Sequence, residues 1–299
     1  MKKFNPLILL IALSIACNSL FERENITKRQ LISKESLKKH LITLSSNEYQ
    51  GRKPFTEGEA RTINYLKRQF EQFELKPGNG DAYFRDVPLV ELNAKPSETM
   101  IIRGNDQSQD LIALDEFVAY TERVEEFVSL ENTELVFAGY GVVAPEYGWN
   151  DYEELDVKGK MVIVLINDPG FASDDSTFFR GETMTYYSRW TYKYEEAARQ
   201  GAAGCLIVHE TIPAGYPWLV VRNSWSGASL YLDTSGNNYQ PAILGWITRN
   251  AAIKIFETSR KNLKNFAERA RQNDFQAIDL KLTVSVSVET KSKKMFQKM

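Results

Sequence analysis

Two histidines and two cysteines bound the chemistry this chain can perform. His209-Glu210 opens the stretch HETIP, where Pro213 occupies the position a second histidine would need in a zinc-binding HExxH helix. His40 lies among Lys38, Lys39 and Leu41, neighbours that make an exposed helix face and no ligand set. Asp168, Asp174 and Asp175 flank Pro169-Gly170 without calcium-loop spacing, and turn chemistry accounts for aspartate and glycine there. Ser224-Trp225-Ser226-Gly227 lacks the G-x-S-x-G nucleophile elbow, and no glycine-rich phosphate loop occurs. Cys205, inside the apolar run AAGCLIV, has no base nearby and reads as a small core hydrophobe. The residues assign no catalytic group and no metal ligand to this chain.

What remains is a concentration of aromatics with polar edges, a type favoured at binding surfaces. Tyr187, Trp190 and Tyr194 read as helix-packing residues, whereas Tyr216, Trp218 and Trp225 are the candidates for a substrate or partner surface. All six lie in the stretch 180–227, which organises the chain. Tyr187, Trp190, Tyr194, Ala197 and Ala198 recur at helical spacing, with Arg189, Lys193, Glu196 and Arg199 on the other face. Gly201 can take the left-handed conformation that closes such a helix. Residues 202–208 have the length and apolarity of a buried strand, and a loop carrying the aromatics follows. A helix feeding a buried strand is one unit of an α/β layer.

Elsewhere the pattern predicts a helix over 34–44, with Leu37, Leu41 and Leu44 on one side. A second helix over 57–74 carries the stripe Ile63, Leu66, Phe70 and Phe73 behind a Thr56-x-x-Glu59 capping box. Strands are predicted at 83–92, 97–103, 117–120 and 133–138, the last two at the edge of their domain, with short extended pieces at 229–231 and 242–244. Helices follow at 247–259 and 262–271. Residues 279–289 alternate cleanly: Leu280, Leu282, Val284, Val286 and Val288 against polar neighbours. Such a strand needs a sheet to pair with and a layer to cover its apolar side.

The chain's 299 residues are enough for one large domain or two small ones, and 43% hydrophobic with 25% charged residues is ordinary for a globular protein. A net charge of −2 gives no basic surplus for nucleic acid. The first residues, MKKFNPLILLIALSIACNS, form a targeting segment, with Lys2 and Lys3 ahead of an apolar run at 7–15 too short to span a bilayer. Two readings cut at the same bond: lipidation of Cys17 as a bacterial lipoprotein, or ordinary signal cleavage after Ala16. The lipoprotein reading is favoured, although Ser14 stands where leucine is usual. Either way the mature protein is exported, and it meets a membrane only through a lipid anchor at Cys17.

The stretches DVKGKMVIVLINDPG at 156–170 and 180–227 resemble the protease-associated domain inserted in certain bacterial zinc aminopeptidases. That metallopeptidase family has the transferrin receptor and glutamate carboxypeptidase among its relatives. A second segment, YQGRKPFTEGEARTINYLKRQFEQFELKPGNGDAYFRDVPL, is similar to the entrance of the family's peptidase domain. Its matching positions include Gly51, Arg52, Thr56, Gly58, Glu59, Pro77, Gly80, Tyr83 and Pro88. Phe55 and Glu74 stand where the family usually has glycine, and these changes stiffen two turns. The resemblance implies an α/β fold, a protease-associated domain inserted in an incomplete peptidase-like domain. Its divisions would be a signal segment at 1–16, an N-terminal part of the peptidase-like domain at 31–110, the protease-associated domain at 111–277, and a return strand with charged tail at 278–299. It implies zinc for the complete family enzyme, whose metal-binding motifs follow the return strand and have no counterpart here. Peptides or proteins are the implied partners. On this reading the chain alone is inactive and the strand at 279–289 lacks its covering layer. The alternative is a non-catalytic peptide- or protein-binding module of the cell envelope.

Overall fold

The computed structural model describes residues 33–298 except 154, 172 and 174, so the Cys17 and Asp174 readings lie outside the described residues. The chain divides into two compact units. One ends at Val87 and takes in Gln297 and Lys298; the other runs from Pro88 to Phe296.

The first unit holds α1 (Lys34–Ser45) and α2 (Glu57–Gln72). Ser33 caps α1 by accepting the Ser36 N–H at 3.0 Å. The expected capping box at Thr56 does not form. Thr56 Oγ1 donates to the Lys53 carbonyl at 2.6 Å, and the Glu59 carboxylate accepts the Phe55 N–H at 2.5 Å. Phe55 takes a φ of 61° there, turning its own N–H toward the helix so that the carboxylate meets it instead. Tyr65 is the buried centre of α2, while Leu66, Phe70 and Phe73 of the predicted stripe are exposed, as are Leu37 and Leu41 of α1. The helical period is present; burial needs a facing surface, which a period does not supply.

The second unit is built on one sheet. In chain order its strands begin with β1 (Asp86–Pro96), β2 (Thr99–Gly104), β3 (Gln107–Ile112), β4 (Phe117–Tyr120) and β5 (Phe127–Phe137). A small pair, β6 (Val143–Ala144) and β7 (Trp149–Asn150), stands apart, then β8 (Met161–Leu165) returns to the sheet. Next come α3 (Trp190–Arg199), β9 (Gly204–His209), α4 (Thr211–Ala214), α5 (Trp218–Ser224) and β10 (Ala228–Leu232). The unit closes with β11 (Ile243–Thr248), α6 (Arg249–Thr258), α7 (Leu263–Arg269) and β12 (Ile278–Lys298).

Across the sheet the order is β10-β1-β12-β5-β8-β9-β11-β4, with β2 on β12 and β3 on β2. The run β5-β8-β9-β11 is parallel, and antiparallel strands flank it. Successive strand residues face opposite sides. Leu135, Phe137, Ile163, Leu206 and Val208 join Ile255 and Phe256 of α6 on one side. Val136, Val162, Val164, Cys205 and Ile207 join Tyr194 and Ala197 of α3 and Val221 of α5 on the other. Both faces of the parallel strands are thus covered by helices, which is why they read as continuous apolar runs. The fold is α/β.

Several boundaries differ from the sequence reading. β5 starts six residues before position 133 and lies inside the sheet, not at its edge, because both β12 and β8 pair with it. Ile247 belongs to β11, and α6 begins at Arg249 where Thr248 accepts the Ala251 N–H at 3.1 Å. Helix α3 begins at Trp190, and Gly201 ends it at φ +75°, with the Ala202 N–H reaching the Ala197 carbonyl at 2.9 Å. Lys193 and Glu196, expected on its polar face, are buried. In β12, Leu280, Leu282, Val284, Val286 and Val288 are all buried within this chain, so the apolar side expected to lack a covering layer has one.

Candidate functional site

The first place to look in such a sheet is the carboxyl end of the parallel strands. There β8 runs into Asn167 and Asp168, and β9 into His209 and Glu210. Asp168 accepts the Gly170 N–H at 3.0 Å and the Thr185 hydroxyl at 2.6 Å, together with the Ser188 hydroxyl. This is the turn chemistry the Asp-Pro-Gly sequence implied, elaborated by two hydroxyls distant in the chain. His209 Nε2 donates to the Tyr216 carbonyl at 2.9 Å, and burial pulls its pKa below the usual histidine range. Glu210 pairs with Arg249 at 3.4 Å beside a shallow groove of about 360 Å³.

Beneath this end, Lys193 of α3 is fully buried, and its Nζ donates to the Asn167 carbonyl at 2.6 Å. Desolvation lowers its pKa to about 7, opposed by the charges of Asp151 and Asp168. Asp151 is buried too and its pKa rises to about 7, through desolvation opposed chiefly by the Val142 N–H and by Lys193. Cys205 is fully buried in β9 and its thiol is pushed up to about 12, which removes it from nucleophilic chemistry. Sequence periodicity gave no signal for Lys193, because a lysine at helical spacing reads as solvated.

The zinc that the resemblance implies finds no fitting donor set here. Among the described residues no three His, Cys, Asp or Glu side chains converge. His209 is engaged as above, and His40, in the other unit, shares a 2.6 Å hydrogen bond between its Nδ1 and the Tyr65 hydroxyl.

The three aromatic candidates are half-buried and converge on the fully buried Trp246 of β11. Tyr216 and Trp225 stand 6.4 and 5.9 Å from it, and Trp218 reaches it through His209. Trp218 begins α5 instead of lying in a loop, and its indole N–H donates to the Leu114 carbonyl at 3.0 Å. Trp225 packs on Tyr120 and edge-on against Trp190 at 5.5 and 5.3 Å. It alone of the three also lines a cleft of about 1170 Å³, formed where the end of β1, the start of β5 and Glu289–Ser292 of β12 meet. Among the described residues no helix is long and apolar enough to cross a membrane. In comparisons with known proteins, no family model and no curated protein matches the chain.

Proposed function

We propose that this chain is the N-terminal and protease-associated part of an exported metallo-aminopeptidase-like protein, and that its own contribution is peptide recognition. One observation carries the reading. Phe55 and Glu74, the two positions where the resembled family usually has glycine, hold left-handed backbone at φ 61° and 57°. Glycine is the default residue for that conformation, so a glycine at either position would suit the turn this chain makes. The stretches 156–170 and 180–227 support it further, since β8 and β9 are adjacent parallel strands joined through α3. The cleft beside Trp225 offers concave surface for a peptide.

A non-catalytic binding module of the cell envelope is the second reading, favoured by the burial of Leu280, Leu282, Val284, Val286 and Val288. The native mass in source cells, probed with an antibody to 180–227, separates the two. A species well above 34.2 kDa, with chelator-sensitive aminopeptidase activity, is expected on the first reading. A species at or below that mass, binding peptides without hydrolysing them, would replace it with the second.

A further inference from the structure

Helix α1 presents an outer face that nothing else among the described residues covers. Its inner side is fixed by His40, which meets the Tyr65 hydroxyl of α2, and by the half-buried Thr43 and Leu44. No residue of α1 is buried, and Leu37, Leu41 and Ile42 are 55%, 62% and 59% exposed. At about 100° per residue, Lys34 and Lys38 fall between Leu41 and Ile42 around the helix. The outer face thus interleaves aliphatic side chains with two ammonium groups, and Lys39 stands beyond Ile42. Glu35 is the single acidic residue of α1. Among the described residues none of these four charges is in an ion pair.

We propose that the outer face of α1 lies on an anionic lipid surface. An apolar protein groove would have to strip water from Lys34 and Lys38 to cover the aliphatic residues on either side of them. At a bilayer the same lysines carry their ammonium groups out to the lipid phosphates while their stems lie along the apolar layer. A basic helix with its lysines set among exposed leucines has the pattern of an interfacial helix. Its place in the chain agrees. Helix α1 begins 17 positions after Cys17, and a chain of that length reaches at most about 60 Å. The sequence reading made a lipid anchor at Cys17 the sole membrane contact. The α1 face adds a second contact, made by the protein itself and independent of acylation.

Vesicle flotation tests this with the mature chain, begun at Cys17, left unacylated and kept in reducing buffer. One set of vesicles is phosphatidylcholine alone, the other phosphatidylcholine and phosphatidylglycerol in equal parts. The chain is expected to float with the mixed vesicles at low salt, not with the neutral ones, and to be released by high salt. Lys34→Gln with Lys38→Gln should weaken binding about thirtyfold. Leu37→Gln with Leu41→Gln should weaken it at least about tenfold. Glutamine is a good helix former and these positions are exposed, so both variants should melt with the parent. No flotation with the mixed vesicles, equal flotation with the neutral ones, or flotation unmoved by either pair of substitutions overturns the proposal. A dimer in light scattering that Leu37→Gln with Leu41→Gln dissociates would assign the face to a second copy of this chain, and overturns it too. The comparison of vesicle compositions uses the parent alone, so it decides even if a variant fails to fold. None of these outcomes bears on the peptide-recognition reading, which concerns other residues.

Discussion

Lys193 and Asp151 show what burial does to groups that a sequence pattern assigns to solvent. Lys193 has its ordinary pKa near 10.5 lowered to about 7 by desolvation, so between those values the unfolded chain holds a proton that the native chain has released. Stability therefore rises with pH through that window. Asp151 goes the other way: its carboxyl, ordinarily near 3.8, is raised to about 7, so the native chain holds the extra proton and stability falls as pH climbs toward neutrality. The melting temperature is expected to rise from about pH 7 to about pH 10, and Lys193→Met to lose that limb. Parallel melting curves for parent and variant across this range would refute the assignment. Neither effect was legible in advance, because both come from burial by surfaces that the fold brings over these side chains, and not from their own segments.

Helix ends and turns are where local sequence and local structure part company. Thr248 and Thr56 look alike as capping residues, but only Thr248 accepts a helix N–H, from Ala251 at 3.1 Å. Thr248→Ala should cost about 1 kcal/mol in urea denaturation, and Thr56→Ala clearly less. Equal losses would mean that Thr56 caps after all. At the end of α2, Glu74 holds φ 57°, a conformation that costs a non-glycine residue roughly 1 kcal/mol. Glu74→Gly should therefore leave stability unchanged or raise it by up to about 1 kcal/mol, despite glycine's greater unfolded-state freedom. A marked destabilisation in the same assay would count against the strained-turn account. The Thr56 motif and the departure at Glu74 were both visible as residue types; the φ that decided their roles was not.

For the molecule as a whole, the second unit has a core on both faces of its sheet and needs no strand from outside it. A fragment spanning 88–296 is expected to melt in one cooperative transition. Leu280→Ala within it should cost about 2–5 kcal/mol, because Leu280 is fully buried. A fragment without a thermal transition, or an exposed-site cost of a few tenths of a kcal/mol for Leu280→Ala, would show that β12 is not a core strand of this unit.

The amino-acid sequence determined the elements whose signals are local. The alternation of 279–289 made β12 a strand, the apolar run at 202–208 made β9 a buried one, and Gly201 ended α3, since side-chain spacing and backbone freedom act within a few residues. Tertiary structure decided what each element faces. It placed β5 and β12 side by side across more than 140 residues, buried Lys193 and Glu196, left Leu66 and Phe70 exposed, and gathered Trp225 and Thr290 around one cleft. Burial and pairing are properties of two surfaces at once, and a single segment's pattern carries only one of them.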